Sequence, residues 1–195
     1  MSTALPERRA VVAALLAARG DLLVVSGLGG TTWDVAAAGD DPANAYLWGA
    51  MGLAVPTGLG LALAQPARRV LVVTGDGEML MGLGSLATVA RARPANLAIV
   101  VIDNERYGET GGQRTHTAAA TDLAAVARGA GLAASETLRD LAAVTALRAR
   151  IHGADGPLFA VVKVAPGNGQ MVLPPRDGAL LQHRFRAALG VDQGD

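Results

Sequence analysis

Three mainly apolar runs constrain this fold most strongly: RVLVVT at Arg69–Thr74, NLAIVVI at Asn96–Ile102 and LFAVVKV at Leu158–Val164. Such runs are typical of strands buried on both faces, as in parallel sheets that helices cover from both sides. Segments with helical periodicity separate the runs, and this alternation favours an α/β architecture. We therefore predict a single α/β domain over residues 1–195, with three layers and a mostly parallel sheet between helices.

The remaining elements are predicted from apolar periodicity and from residues that start or stop helices. A short strand is expected at Asp21–Val25, and an irregular loop follows it as far as about Ala50. The predicted helices are Pro6–Arg19, Ala50–Ala64, Glu78–Arg91, two helices capped by Thr121 and Thr137, and a C-terminal helix that ends near Leu189.

Composition and local pattern exclude several classes of protein. Seventeen basic residues balance seventeen acidic ones without a basic stripe, which argues against nucleic-acid binding. The sequence has no cysteine, so disulfides and thiolate metal sites are excluded. The uncharged stretch Pro42–Ala67 contains several glycines and Pro56, which argues against a membrane span. Glu7, Arg8 and Arg9 interrupt any signal-peptide pattern, so a cytoplasmic protein is expected.

A Gly-Asp-Gly motif at 75–77 and an asparagine at position 104 follow two consecutive predicted strands. Because consecutive parallel strands end at the same edge of a sheet, Asp76 and Asn104 are expected to lie close together. Carboxylate and amide oxygens are hard ligands that suit Mg²⁺ or Ca²⁺. Gly75 and Gly77 permit a tight turn, and the N-terminus of the helix predicted at Glu78 favours a phosphate. The joint pattern predicts a site for a metal ion and a diphosphate.

Gly-Asp-Gly followed by 26 residues and an asparagine resembles the cofactor motif of thiamine-diphosphate-dependent enzymes. The likeness covers about Asp21 to Val164 and implies the fold of their diphosphate-binding (PP) domain. Thiamine diphosphate and Mg²⁺ are the cofactors that the resemblance implies. It also implies that Asp76, Asn104 and the backbone carbonyl of Arg106 are the metal ligands.

Further contacts to the cofactor are implied by the same resemblance. The WGAMG segment resembles the stretch that receives the aminopyrimidine ring, through the Gly49 carbonyl and the Met51 N–H, with the Met51 side chain beneath the bent cofactor. A methionine at such a position is also an ordinary core residue, so both roles stay open. Thr31 corresponds to a hydroxyl that meets the diphosphate. The expected cofactor residues are Thr31, Gly49, Met51, Gly75, Asp76, Gly77, Glu78, Asn104, Tyr107 and Gly108.

The resemblance implies only half of an active site. In this family, the glutamate that activates the pyrimidine belongs to a pyrimidine-binding (Pyr) domain, which we expect on a partner chain of similar size. The loop at 104–117 resembles that of sulfopyruvate decarboxylase β subunits and the C-terminal part of phosphonopyruvate decarboxylases. This implies a hetero-oligomer, of α2β2 type or larger, that decarboxylates a small 2-oxo acid. Gln113, Arg114 and His116 are the candidate substrate contacts.

Two other functions remain open from the sequence. The run Thr110–Gln113 is also similar to β subunits of 2-oxoacid oxidoreductases, although a chain without cysteine cannot ligate an iron–sulfur cluster through thiolates. A non-catalytic cofactor-binding subunit is the second alternative. Dinucleotide binding is disfavoured because neither glycine-rich segment has the spacing G-x-G-x-x-G, and no GK[ST] sequence supports a P-loop.

Overall fold

The computed structural model describes residues 4–153, 156–167 and 169–191. The helices within these ranges are α1 (Arg8–Leu16), α2 (Gly30–Ala37), α3 (Ala54–Ala64), α4 (Asp76–Met81), α5 (Gly84–Ala92), α6 (Leu123–Gly129), α7 (Leu141–Gly153) and α8 (Gly178–Ala188). The strands are β1 (Leu23–Ser26), β2 (Asn44–Tyr46), β3 (Val70–Gly75), β4 (Leu97–Asp103), β5 (Arg106–Tyr107), β6 (Gln113–Arg114), β7 (Glu136–Leu138) and β8 (Leu158–Lys163).

Six strands form one parallel sheet in the order β2-β1-β3-β4-β8-β7. The central strands β3 and β4 are neighbours, and Gly75 at the end of β3 pairs in register with Ile102 near the end of β4. This register places Asp76 and Asn104 side by side in the topology, at the carboxyl edge of the sheet. Strands β5 and β6 form a separate antiparallel hairpin just beyond β4.

Helices cover both faces of the sheet, and each face has its own apolar core. One core joins the sheet to α1, α2 and α7, with Leu15 and Leu147 fully or almost fully buried. The other joins it to α3, α5 and α6, with Leu59, Leu86 and Leu123 buried. The predicted α/β architecture, with a mostly parallel sheet between helices, is confirmed, and the three apolar runs are its central strands β3, β4 and β8.

The segment predicted as an irregular loop up to Ala50 contains helix α2 and strand β2 instead. Helix α2 begins with Gly30 followed by two threonines, residues of weak helical propensity, so its formation depends on packing against the sheet. Strand β2 has only three residues, which is too short for a periodic pattern to be recognised.

Two predicted helices begin or break at other residues than expected. The helix predicted from Ala50 starts at Ala54, because Ala50 and Gly52 have positive φ angles of 58° and 89°. The helix predicted at Glu78–Arg91 is two helices, α4 and α5, interrupted near Gly82. A Cβ at Gly82 would overlap with the carbonyl oxygen of Gly52, so the interruption lies where two backbone segments touch.

The predicted threonine caps were wrong in both places. Asp122 caps α6 by accepting a hydrogen bond from the backbone N–H of Ala125 at 3.0 Å, so Thr121 is not the cap. Thr137 lies inside strand β7, and Asp140 accepts from the N–H of Ala143 at 2.8 Å at the start of α7. A carboxylate one to three residues farther along is the better acceptor in each case.

No helix in the described part of the chain is long and apolar enough to cross a membrane. The uncharged segment contains the 11-residue helix α3, which packs on the sheet with Gly58 against Val72 of β3.

Candidate functional site

A cavity of about 340 Å³ opens at the carboxyl edge of the sheet, where β3 and β4 end. Except for Gly49, every residue of the expected cofactor set lines this cavity, and so does Arg106. Gly49 is exposed and lies outside it. The sheet topology therefore brings together residues that are far apart in sequence, as predicted for residues that follow two consecutive parallel strands.

Asp76 is a buried carboxylate in the wall of the cavity, with an exposed fraction of 2%. Its Oδ2 accepts hydrogen bonds from the hydroxyls of Thr115 at 2.5 Å and Thr117 at 3.1 Å. Burial, and to a smaller extent the nearby charge of Asp103, raises the pKa of Asp76 to about 6. Because neutral hydroxyls do not balance its charge, the carboxylate is suited to a cation in the cavity.

Asp103 and Lys163 are connected to Asp76 through the hydroxyl of Thr117 and an ion pair. The Thr117 hydroxyl also donates to Oδ1 of Asp103 at 2.9 Å, so it can bond either of the two carboxylates. Lys163 at the end of β8 is paired with Asp103 at 2.8 Å and with Glu105 at 2.9 Å. This lysine balances Asp103 and ties the loop after β4 to the sheet, which positions the groups around Asp76.

Asn104 and Arg106 belong to a tight turn directly after β4. The side-chain oxygen of Asn104 accepts a hydrogen bond from the backbone N–H of Arg106 at 3.0 Å. Glu105 between them has a φ of 59°, a left-handed conformation that is uncommon outside glycine. Strained backbone of this kind is often found at functional sites, where the surrounding structure holds it in place.

Glu78 is a second buried carboxylate in the cavity wall, with an exposed fraction of 4%. Its Oε2 accepts from the hydroxyl of Thr74 at 2.8 Å, whereas Oε1 has no hydrogen-bonding partner within the described ranges. Burial raises the pKa of Glu78. A Cβ at Gly27 would overlap with this carboxylate, so the glycine-rich loop after β1 makes room for it.

The loop after β1 supplies the opposite wall. Thr31 lines the cavity in the first turn of α2, and the backbone N–H groups of this turn receive no side-chain cap. The hydroxyl of Thr32 is bonded instead to Ser26 at 2.7 Å, in the core. Of these two threonines, Thr31 is the one that lines the cavity, and its hydroxyl makes a long hydrogen bond to the carbonyl of Leu28 at 3.4 Å.

Met51 lies in the loop before α3, not on a helix. Its exposed fraction is 37%, and it lines the cavity together with Met81. An exposed methionine at the cavity wall is not a core residue, so the open alternative of core packing does not fit the structure. The ring of Tyr107 closes another side, and a Cβ at Gly77 would lie 2.5 Å from it.

Gln113, Arg114 and His116 are exposed and do not line the cavity. The Gln113 amide donates to the carbonyl of Thr110 at 2.8 Å, and Arg114 donates to the carbonyl of Ala118 at 2.6 Å. These residues belong to the loop that forms one rim of the site, but the chain alone does not bring them to the metal-ligand candidates.

The sequence did not indicate the residues that orient the metal-ligand candidate Asp76, nor the arginine that reaches the cavity from α1. Thr117, Asp103 and Lys163 orient Asp76, and Arg8 at the start of α1 reaches the cavity from the other end of the sequence. Lys163 carried a recognisable signal, because it is the sole lysine of the sequence and interrupts an apolar strand. Arg8 carried none, since arginine near an N-terminus is ordinarily exposed.

The donor set fits one divalent cation of the Mg²⁺ type, with a buried carboxylate, an amide oxygen and a backbone carbonyl at one edge of the cavity. No group of three or more His, Cys, Asp or Glu side chains suited to a metal occurs in the described residues. A site with few protein ligands leaves coordination positions for phosphate oxygens and water, which is how Mg²⁺ is commonly bound.

The chain is similar in sequence to known proteins. Residues 32–162 match the family described as thiamine pyrophosphate enzyme, C-terminal TPP binding domain. The chain is 42% identical over 165 residues to the sulfopyruvate decarboxylase subunit beta of Methanothermobacter thermautotrophicus, covering 85% of each chain. It is 40% identical to the phosphonopyruvate decarboxylase of Streptomyces viridochromogenes over 95% of this chain, but it spans only 47% of that protein.

A solved structure supports the same fold. The thiamine diphosphate-dependent 4-hydroxybenzoylformate decarboxylase of Rhodococcus jostii RHA1 aligns with 87% of this chain and 34% of its own, with a TM-score of 0.68 and 20% identity. The chain therefore belongs to the thiamine pyrophosphate (thiamine diphosphate) enzymes and carries their C-terminal cofactor-binding domain.

Proposed function

We propose that this chain is the diphosphate-binding subunit of a heteromeric, thiamine-diphosphate-dependent decarboxylase of 2-oxo acids. The observation that supports it most is Asp76, a buried carboxylate whose charge the uncharged hydroxyls of Thr115 and Thr117 do not balance, in a cavity that Asn104 and Arg106 also line. The likeness to a sulfopyruvate decarboxylase subunit beta over 85% of both lengths supports a separate subunit of this kind. It also favours a 2-oxo acid with a second acidic group as substrate.

The cofactor-binding roles follow from the cavity. Asp76, Asn104 and the carbonyl of Arg106 would hold Mg²⁺, and Thr31 with the first turn of α2 would meet the diphosphate. Met51 would support the cofactor from the α3 side. When bound, thiamine diphosphate supplies the nucleophile and electron sink that 2-oxo acid decarboxylation requires. The protein contributes orientation and an environment with little water.

A second chain completes the site in this proposal. It would bring a Pyr domain with the activating glutamate, as the phosphonopyruvate decarboxylase relative is about twice as long as the region it shares with this chain. Met51, Leu53 and Met81 are large apolar side chains with exposed fractions of 37%, 52% and 60%, and the first and last line the cavity. A partner that covers them would bury this surface. We propose an α2β2-type or larger cytoplasmic assembly.

The exposed residues Gln113, Arg114 and His116 remain candidate substrate contacts in that assembly. Arg114 is a charged group in a loop with Gly111 and Gly112, both at positive φ angles. An arginine is suited to bind a sulfonate or phosphonate through two parallel hydrogen bonds. Such a contact requires the partner-bound state, because these side chains do not line the cavity of the chain alone.

The experiment is a CO₂-release assay on the protein isolated from its own cells with its bound partners. Sulfopyruvate, phosphonopyruvate and pyruvate are compared with and without thiamine diphosphate and Mg²⁺. We expect release from a dianionic acid to exceed release from pyruvate and to stop when the metal is chelated. Release that needs coenzyme A and an electron acceptor would replace the proposal with a 2-oxoacid oxidoreductase. Cofactor binding without CO₂ release from any acid would favour a non-catalytic subunit.

A further inference from the structure

Arg8 is a buried cation at the cofactor cavity, and it has no part in the metal, diphosphate or substrate contacts proposed so far. It is the first residue of α1, and its side chain is 9% exposed. Its Nε is paired with Asp34, whereas Nη2 has no hydrogen-bonding partner in the part of the chain that the structure describes. Leaving a buried charged donor without an acceptor is costly, which indicates that a ligand supplies the acceptor.

The guanidinium of Arg8 lies directly against the first turn of α2. A Cβ at Gly30 would overlap with Nη1 of Arg8, and both residues line the cofactor cavity. The N-cap residue Gly29 has no side chain that could accept from the backbone N–H groups of this turn. A cation and an uncapped helix N-terminus therefore meet at one wall, and both favour an anion.

Asp34 holds the guanidinium in this position without cancelling the local charge. It is fully buried and pairs with Arg8 and with Arg9, whose Nε lies 3.2 Å from Oδ1. Two guanidinium groups against one carboxylate leave a positive charge at the wall. The exposed Glu109 comes close to Gly29, so an anion bound there needs the charge of Arg8 to offset that carboxylate.

We infer that Arg8 binds the terminal phosphate of thiamine diphosphate, as an anion-binding group additional to the metal ligands. The inference rests on the cofactor of the proposed function. The forked donors of a guanidinium suit phosphate oxygens, and the pairing of Nε with Asp34 leaves the two terminal nitrogens for the ligand.

The test compares thiamine diphosphate with thiamine monophosphate, which lacks the terminal phosphate. Dissociation constants of both are measured by calorimetry with Mg²⁺, on the protein as isolated with its partners. We expect Arg8→Gln to weaken binding of the diphosphate about 10- to 100-fold and binding of the monophosphate less than about threefold. Arg9→Gln is the matched control. It also removes one positive charge that is paired with Asp34, but Arg9 does not line the cofactor cavity.

Arg8→Lys keeps a positive charge beside Asp34, and it is the variant to measure if Arg8→Gln does not fold. A single ammonium in place of the forked group should lower the preference for the diphosphate in part. The inference would be overturned if both variants fold and keep the wild-type preference for the diphosphate over the monophosphate. If Arg8→Gln does not fold, an unchanged preference in Arg8→Lys alone would overturn it. Equal weakening of both ligands would also overturn it. An Arg8-dependent preference without CO₂ release from any acid would retain the inference while the proposed decarboxylase function fails.

Discussion

Asp76 illustrates how a single residue depends on parts of the chain that sequence motifs do not reveal. Its position at the end of β3 could be predicted, because a glycine-flanked aspartate follows a buried strand. Its environment could not, since Thr115, Thr117 and Asp103 reach it from a loop and a neighbouring strand. The motif thus predicts the ligand, and the tertiary structure supplies the hydrogen bonds that orient it.

Asp76→Asn should weaken Mg²⁺-dependent binding of thiamine diphosphate by about 100-fold or more, because the amide removes the charge that attracts the metal. Equilibrium dialysis of the cofactor at several Mg²⁺ concentrations measures the change. Asp122→Asn is the control, since asparagine also caps a helix well and α6 lies away from the cavity. Unchanged affinity in Asp76→Asn would refute the metal assignment.

Met51→Ala should lower kcat by about 10- to 100-fold, because a misplaced cofactor loses alignment with the substrate. The free energy of unfolding should change by less than about 0.5 kcal/mol, as expected for an exposed side chain. Met171, at 54% exposure and outside the cavity, provides the control variant Met171→Ala. Wild-type turnover in Met51→Ala would show that this side chain has no role in cofactor support.

Among the elements, the central strands were predicted closely and the short edge elements were not. Strands β3 and β4 have long apolar runs that are typical of a sheet covered on both faces, and their bounds differ from the prediction by only one residue at each end. Helix α2 and strand β2 depend on packing against β1, and their local sequence carries little signal. The break at Gly82 is a tertiary effect as well, because it depends on contact with Gly52.

The glycines of α3 give a paired test of how this helix packs on the sheet. A Cβ at Gly58 would overlap with the stiff, buried side chain of Val72, whereas a Cβ at Gly60 would meet nothing within 4 Å. Gly58→Ala should destabilise the fold by about 1–3 kcal/mol through overpacking. Gly60→Ala should stabilise it by about 0.5–1 kcal/mol through helix propensity. Denaturant unfolding measures both, and equal effects of the two substitutions would contradict this packing.

At the scale of the whole molecule, the cavity is open beside exposed apolar side chains, as expected of a site that a second chain completes. Parallel topology predicted which loops meet at the carboxyl edge, and so most of the cavity wall. The sequence could not place Gln113, Arg114 and His116 relative to that wall, because they lie in an exposed loop without the apolar pattern that identifies the buried strands.

The most direct measurement is CO₂ release by the protein before and after separation from the chains that copurify with it in the presence of Mg²⁺ and thiamine diphosphate. We predict a copurifying chain with a Pyr domain and its glutamate. Activity should be absent from either separated chain and return when the two are mixed. Full, cofactor-dependent CO₂ release by this chain alone would contradict the proposed function, because no partner would then be needed to complete the site.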